Sequence, residues 1–401
     1  MEHEKLEKLL RKAHPSEITL ETKIKNLPRL FDMSLANADK KLIITLVVLV
    51  SFGLVMGIST ASYTVINNGL AITGFMLRQI LFVALGLGAM ALVSAIDYHR
   101  LSLGLLTYAL PVVLVLNILP KFMGVITNGA SRWLQFGPMS IQPSELAKYF
   151  VVAFAACLLA LPNKNSDEDF KRYCLVLFVG AAFTGTVLLL QSNLSTAAII
   201  FFITIILIAV SGLKLAAWLF PFVTGLIVGG AAIFGVDYRR ARVLGFLNPF
   251  RDPSGDTMQL VQSLYALSTG GLFGRGLGNS RLKAYWLPYA ENDFIFAIIC
   301  EELGLIGALA VMGGLAFLVI RGLKIAREAP DKYGSLLATG IISVIALQSL
   351  INMAVVMGAF PVTGVPLPFI SAGGTSLTVN LAAMGILINI SKQSGSNGSE
   401  S

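Results

Sequence analysis

The sequence predicts an all-α, polytopic integral membrane protein. It should have about ten transmembrane helices, N-in and C-in, with a large outer loop between spans seven and eight. Three observations carry this. Of 401 residues, 55% are hydrophobic and only 13% charged, whereas soluble domains carry roughly 25% charged residues. Apolar stretches recur near the roughly 20-residue length that crosses the hydrocarbon, where only helices or closed barrels satisfy their own backbone. Lysine and arginine are shared unequally between alternate loops, which fixes orientation.

Residues 1–41 form a basic tail with nine Lys or Arg. The piece EHEKLEKLLRKA can place Leu6, Leu9 and Leu10 on one helical face against anionic membrane lipids. A solvated tail that fixes topology is the plainer reading. No cleavable signal pattern is visible in the tail, so the first span should anchor the chain uncut.

The apolar segments lie at about 42–63, 76–96, 101–119, 144–162, 173–190, 195–211, 214–236, 293–320, 334–358 and 374–391. The membrane domain therefore spans 42–392, followed by a disordered tail, 393–401. With the N-terminus inside, inner segments hold about 19 Lys or Arg and outer loops about nine. Seven of those nine fall in one outer loop, 237–292. Long loops translocate despite charge; an anionic ligand at the outer face would also account for them. The net charge of +8 is dispersed, which argues against nucleic acid. Cys157, Cys174 and Cys300 match no metal spacing or disulfide framework and read as packing residues.

The loop 237–292 carries Arg242, Arg275, Arg281 and Lys283 and ends on Asp293, a carboxylate at the mouth of span eight. Ionisable groups at membrane depth are functional candidates. For Asp293 the alternative is an acid favoured by a helix N-terminus. Asp256 and Gln259 resemble a capping box before Leu260, Val261, Leu264 and Leu267, and Gly270-Gly271 ends that pattern. This predicts a short amphipathic helix in the outer interface, with Asp256 as cap rather than catalyst. The run GGLFGRGLGNS is either a flexible connection or an anion nest that presents N–H groups and Arg275.

Loop 120–143 carries Arg132 and Trp133. An interfacial tryptophan is usually an anchor. Glu145 and Lys148 lie three apart on one helix face and can pair. Loop 358–376 contains three prolines at membrane depth, which suits irregular backbone beside a cavity. Glu301 and Glu302 lie roughly 12 Å deeper in span eight than Asp293; structural pairing inside the bundle, with Lys148 as one option, suits them better than catalysis.

Four segments then carry a resemblance: NGASRWLQFGPMSIQPSELAK (128–148), DPSGDTMQLVQSL with GGLFGRGLGNS (252–280), LPYAENDFIFAIICEELGLIGAL (287–309) and PVTGVPLPFISAGGTSL (361–377). In order, over 42–391, they resemble the SEDS family (FtsW, RodA, SpoVE), most closely its FtsW and SpoVE branch. The resemblance implies a peptidoglycan glycosyltransferase that polymerises lipid II with a class B penicillin-binding protein and other division proteins as partners. It implies a bacterial cytoplasmic membrane, at the division septum. The family aspartate maps to Asp293, its tryptophan to Trp133, and its glutamate and lysine to Glu145 and Lys148. One departure is clear: the family's QPDLGT reads Gln191-Ser192-Asn193-Leu194-Ser195-Thr196 here, so no role for that acid transfers. Ala372 and Thr375 replace the usual Tyr and Ser of a second motif.

On this reading Asp293 is the base, Arg242, Arg275, Arg281 and Lys283 hold the pyrophosphate, and Arg132, Trp133, Glu145 and Lys148 complete the substrate site. No metal-ligand cluster is visible, although a divalent cation (Mg or Mn) bridging the pyrophosphate is chemically reasonable. A lipid II flippase and a non-catalytic scaffold for the transpeptidase are the competing functions.

Overall fold

The computed structural model describes residues 37–67, 72–127, 130–137, 139–162, 166–251, 257–282 and 291–394. The expected basic helix at Leu6–Leu10, Asp256 and Lys283 lie outside these residues.

All ten expected spans are helices: α1 Lys40–Asn67, α2 Ile72–Ala95, α3 Leu103–Ile118, α4 Pro143–Ala160, α5 Ser166–Leu189, α6 Leu194–Val210 and α7 Leu215–Phe234. Two short helices follow, α8 Asp237–Leu247 and α9 Met258–Gly270. The last three spans are α10 Ile295–Glu328, α11 Lys332–Val356 and α12 Gly374–Ser394. Among the described residues, nine helices are long and apolar enough to cross a membrane. The tenth, α6, has 17 residues, or about 26 Å of rise, slightly less than the hydrocarbon thickness. The chain is a multi-pass membrane protein. Several boundaries differ from expectation; α5, for one, begins at Ser166 rather than near 173. Helix α10 runs beyond 320 to Glu328, and α12 takes in residues 393–394, which were expected in the tail.

Burial ranks the helices. Helix α4 packs against α11, α3, α6 and α5. Its buried Ala147, Ala153, Ala155 and Ala156 let neighbours approach closely. Helix α2 lies along α12, and α10 along α11, α9 and α1. Helix α7 touches α6 and α8 at the periphery, and its apolar window has no buried residue. An apolar helix packed on so few neighbours leaves most of its surface to lipid.

The connections group at two ends. At one end, Asp39 accepts from Arg321 Nε at 3.1 Å, and His99 lies between Asp97 (Nδ1 to Oδ1, 2.8 Å) and Asp331 (Nε2 to Oδ2, 3.0 Å). The other end carries Asp293. There the stretch expected to be a plain loop forms a small antiparallel sheet, β1 Val125–Thr127, β2 Ala130–Phe136 and β3 Met139–Ile141. Register pairs Val125 with Trp133 and Leu134 with Ile141. Thr375 Oγ1 donates to Ser140 O at 2.6 Å and ties the sheet to α12.

The predicted amphipathic helix is α9, with Leu260, Val261 and Ala266 buried. It ends at Gly270, as expected, and Gly271 turns to φ +56°. The glycine-rich run that follows does not stand open as a nest. Helix α10 breaks at Gly304 (φ 67°, ψ −163°), and the run repairs the break. Arg275 and Gly276 N–H donate to Glu301 and Glu302 O at 3.0 and 2.9 Å, while Leu305 and Ile306 N–H donate to Gly271 and Leu272 O at 2.9 and 3.3 Å. Two of the amides proposed for an anion are thus used by a broken helix, because backbone groups at membrane depth must find partners.

A Cβ at Gly304 would meet Gly274 N at 2.4 Å and Leu272 O at 2.5 Å, and the left-handed φ adds strain. Gly304→Ala is expected to destabilise the protein by about 2–4 kcal/mol. Thermal unfolding in detergent would show a clear fall in Tm; an unchanged Tm would refute the close packing of the run on α10.

Candidate active site

Asp293 stands in a turn, 291–294, just before α10. Phe294 O accepts from Ala297 N–H at 2.9 Å, but the three carbonyls before it take donors from far along the chain. Ala372 N–H donates to Glu291 O at 3.0 Å. Ser371 Oγ donates to Asn292 O at 2.6 Å. Asn352 Nδ2 donates to Asp293 O at 2.7 Å, and also to Val365 O at 2.7 Å. Ser371 Oγ in turn accepts from Leu367 N–H at 2.8 Å. The segment after α11 is irregular and largely buried, as its prolines predict, and Gly364 approaches the carboxylate. A Cβ there would lie 3.1 Å from Asp293 Oδ2.

The half-buried carboxylate titrates high, at about 6. Burial is the main cause; Glu291 pushes the same way, and Arg132 and Arg242 oppose. Burial raises Glu291 as well. Both arginines are held by backbone carbonyls. Arg132 Nε and an Nη donate to Gln191 O at 3.2 Å and Ser192 O at 2.9 Å. Arg242 donates to Val362 O at 3.1 Å. The turn that departs from the family pattern thus still has a task. Ser192 adopts φ +50°, its carbonyl and that of Gln191 hold Arg132, and Asn193 Oδ1 caps α6 by accepting from Thr196 N–H at 3.2 Å.

The other candidates separate. Trp133 neighbours Arg132 on β2 at a bulge: Val125 pairs with Trp133 and Ile126 with Ser131, which leaves Arg132 as the extra residue. Glu145 and Lys148 form a buried pair in the first turns of α4, with Nζ donating to Oε1 at 2.8 Å. Glu145 Oε2 is buried with no partner among the described residues. Lys148 does not serve Glu301 or Glu302, because Glu145, one turn away on its own helix, is closer. Glu302 accepts from Ser59 Oγ at 2.9 Å, and Glu301 accepts from Ser280 Oγ and from Arg281 N–H at 3.1 Å. Arg275 lies 3.7 Å from Glu301, and the Arg281 side chain is exposed. Structural pairing therefore accounts for both glutamates. Among the described residues, no group of three or more His, Cys, Asp or Glu gathers to hold a metal ion.

Asn352, Gly364 and the hydroxyl of Ser371 were not singled out by sequence. An amide inside the apolar run INMAVV was a signal, since buried amides in spans are bonded to something. Nothing local said to what.

A family model described as cell cycle protein, FtsW/RodA/SpoVE, matches residues 39–396. The chain belongs to that family. It is 40% identical over 359 residues to stage V sporulation protein E of Bacillus subtilis, covering 89% of this chain and 97% of that protein. It is 37% identical over 372 residues to a probable peptidoglycan glycosyltransferase FtsW of Trichlorobacter lovleyi, covering 89% and 94%. Among solved structures it is similar to a chain in a study of polymerisation and crosslinking by a peptidoglycan synthase complex (TM-score 0.70, 27% identity, covering 89% and 98%). It is also similar to Thermus thermophilus rod shape determining protein RodA (TM-score 0.66, 25% identity, covering 89% and 97%). This FtsW/RodA/SpoVE member thus shares its fold with those structures over 89% of its length.

Removing one partner of the buried pair leaves the other charge stranded. Lys148→Met is expected to lower stability by about 3–5 kcal/mol, and adding Glu145→Gln to restore much of it. Unfolding in detergent of the two single variants and the double variant checks this; equal additive losses would mean the charges are uncoupled.

Proposed function

We propose that this chain is a peptidoglycan glycosyltransferase that polymerises lipid II at the outer face of the bacterial cytoplasmic membrane. The observation that carries the reading is Asp293 itself: a half-buried carboxylate with an elevated pKa, under the field of two arginines. The names of the relatives support the substrate class. The Asp293 end faces outward on the charge count of the loops. A class B penicillin-binding protein is the expected partner, by analogy with the synthase complex. Septal placement and contacts with other division proteins are part of this reading, and the FtsW name carried by relatives supports them.

The chemistry divides simply. Asp293 accepts the proton of the acceptor sugar hydroxyl as its oxygen bonds to the anomeric carbon of the donor. The bond from that carbon to the pyrophosphate oxygen breaks, and the electron pair leaves on the pyrophosphate. Arg132 and Arg242 are the cations best placed to meet that charge, since both act on Asp293 and both are held by backbone. Arg275 is drawn toward Glu301, and Arg281 is exposed; they fit the rim, where the pyrophosphate enters. Lys283 completes the basic loop in sequence. Trp133, next to Arg132 on β2, is suited to stack on a sugar of the substrate. Glu145 and Lys148 stiffen the first turns of α4 below the site. A divalent cation such as Mg or Mn is usually held by one or two carboxylates and substrate phosphates. Glu291 would be its ligand here, and it would supply further neutralisation of the pyrophosphate.

The test is polymerisation of purified lipid II in liposomes with the cognate transpeptidase. Wild type should make glycan strands, and folded Asp293→Asn none. Equal strands from both would remove Asp293 from the chemistry; labelled lipid II crossing the membrane without strands would favour transport. The pH dependence has a definite sign. A base must be ionised, and a pKa near 6 leaves Asp293 about nine-tenths ionised at pH 7. The rate should therefore fall about tenfold per unit below that pKa. A pH–rate profile flat down to pH 5 would contradict the assignment.

A further inference from the structure

The turn at 291–294 is short, irregular and partly buried, so its conformation is set by whatever bonds to it. The chain supplies three donors to three consecutive carbonyls. They come from two places: α11, through Asn352, and the irregular segment before α12, through Ser371 and Ala372. Asn352 and Ser371 are each almost fully buried, at 2% and 4% exposure. Each makes one bond to the turn and one to the irregular segment before α12, while Asn352 Oδ1 is buried with no partner among the described residues. The two N–H bonds of the Asn352 amide go to Asp293 O and Val365 O, and the Ser371 hydroxyl donates to Asn292 O while accepting from Leu367 N–H. Neither side chain hydrogen-bonds to the Asp293 carboxylate. What they hold is the backbone from which it projects, and Gly364 bounds the space into which it projects.

We propose that Asn352 and Ser371 are positioning residues for Asp293: by fixing the carbonyls of residues 292 and 293 they set where the carboxylate meets the acceptor hydroxyl. This rests on the reading of Asp293 as the base. Misplacement of a reacting group by about 1 Å costs on the order of a hundredfold in rate. A turn released at one carbonyl shifts less than that, so the loss per hydroxyl or amide is about tenfold. The effect falls on kcat, because lipid II is bound by other groups.

The experiment compares Ser371→Ala and Ser371→Thr with wild type in the lipid II polymerisation assay, with Asn352→Leu as a second lesion on a different helix. Melting temperature and transpeptidase binding are measured on the same samples. Ser371→Ala should lose about tenfold in kcat with KM within twofold, and its acidic pH limb should move. Ser371→Thr, which keeps the hydroxyl, should recover most of both. Asn352→Leu should show the same split. A lower melting temperature with wild-type kcat per folded molecule and an unmoved pH limb would reduce both residues to structural packing and overturn the proposal. If Ser371→Ala does not fold, the Asn352→Leu and Ser371→Thr profiles decide by the same criterion. Asp293→Asn separates the two ideas. If it is inactive while Ser371→Ala and Asn352→Leu are normal, positioning alone fails. If Asp293→Asn polymerises as wild type, the base reading fails and positioning falls with it.

Discussion

The constraint on which this structure depends is that no backbone polar group at membrane depth can be left to water. Regular helices meet it internally, and they account for most of the chain. The site lies where helices stop. At two irregular stretches of the Asp293 end, missing bonds are supplied by a segment distant in sequence. The Gly304 break in α10 is repaired by residues 271–276, and the turn at 291–294 by residues 352–372. The guanidinium of Arg132 closes on the carbonyls of residues 191 and 192. Function needs broken backbone to bring a carboxylate and two arginines to one place, and the breaks are tolerated because each has a partner.

Charge follows the same logic. A lone charge in the bundle costs several kcal/mol, so buried charges come in pairs. Glu145 with Lys148 and Arg321 with Asp39 are of this kind. Asp293 is different. Burial raises its pKa while two arginines only partly offset the rise. A carboxylate firmly paired with an arginine would be too weak a base to take a proton; one buried without cations would stay protonated. The intermediate environment suits general-base work near neutral pH.

The opposite end shows what structural charge clusters look like. His99 joins Asp97 and Asp331, and Tyr98 donates to Asp331. Burial alone would raise the Asp331 pKa, but hydrogen bonds from Tyr98 and Gly334 N–H and the nearby His99 hold it below the usual value. These groups fasten the turn after α2 to the start of α11, with Gln393 of α12 reaching Asp97 at 3.1 Å. The cluster stabilises charge, where the Asp293 end leaves it reactive.

Sequence alone determined the membrane class and the ten helices, because hydropathy and helix length are local properties with a strong period; Asp293 it offered as a candidate, from its place at a span mouth and from the family resemblance. It also marked the amphipathic α9 and the irregular segment before α12, through glycine and proline. It did not reveal the small sheet at 125–141, whose strands are short and lie in a polar stretch. Nor did it show which of the many cations meet Asp293. Arg275 stood in a glycine-rich motif and looked suited to an anion, yet its amide and side chain turn to Glu301; Arg132, 161 positions before Asp293, takes the place beside the carboxylate. Asn352 looked like an incidental amide in an apolar span. Such pairings are decided by how helices far apart in sequence pack, and no local pattern encodes that. Only the tertiary structure brings the donors of α11 and of the segment before α12 to the carbonyls of one turn.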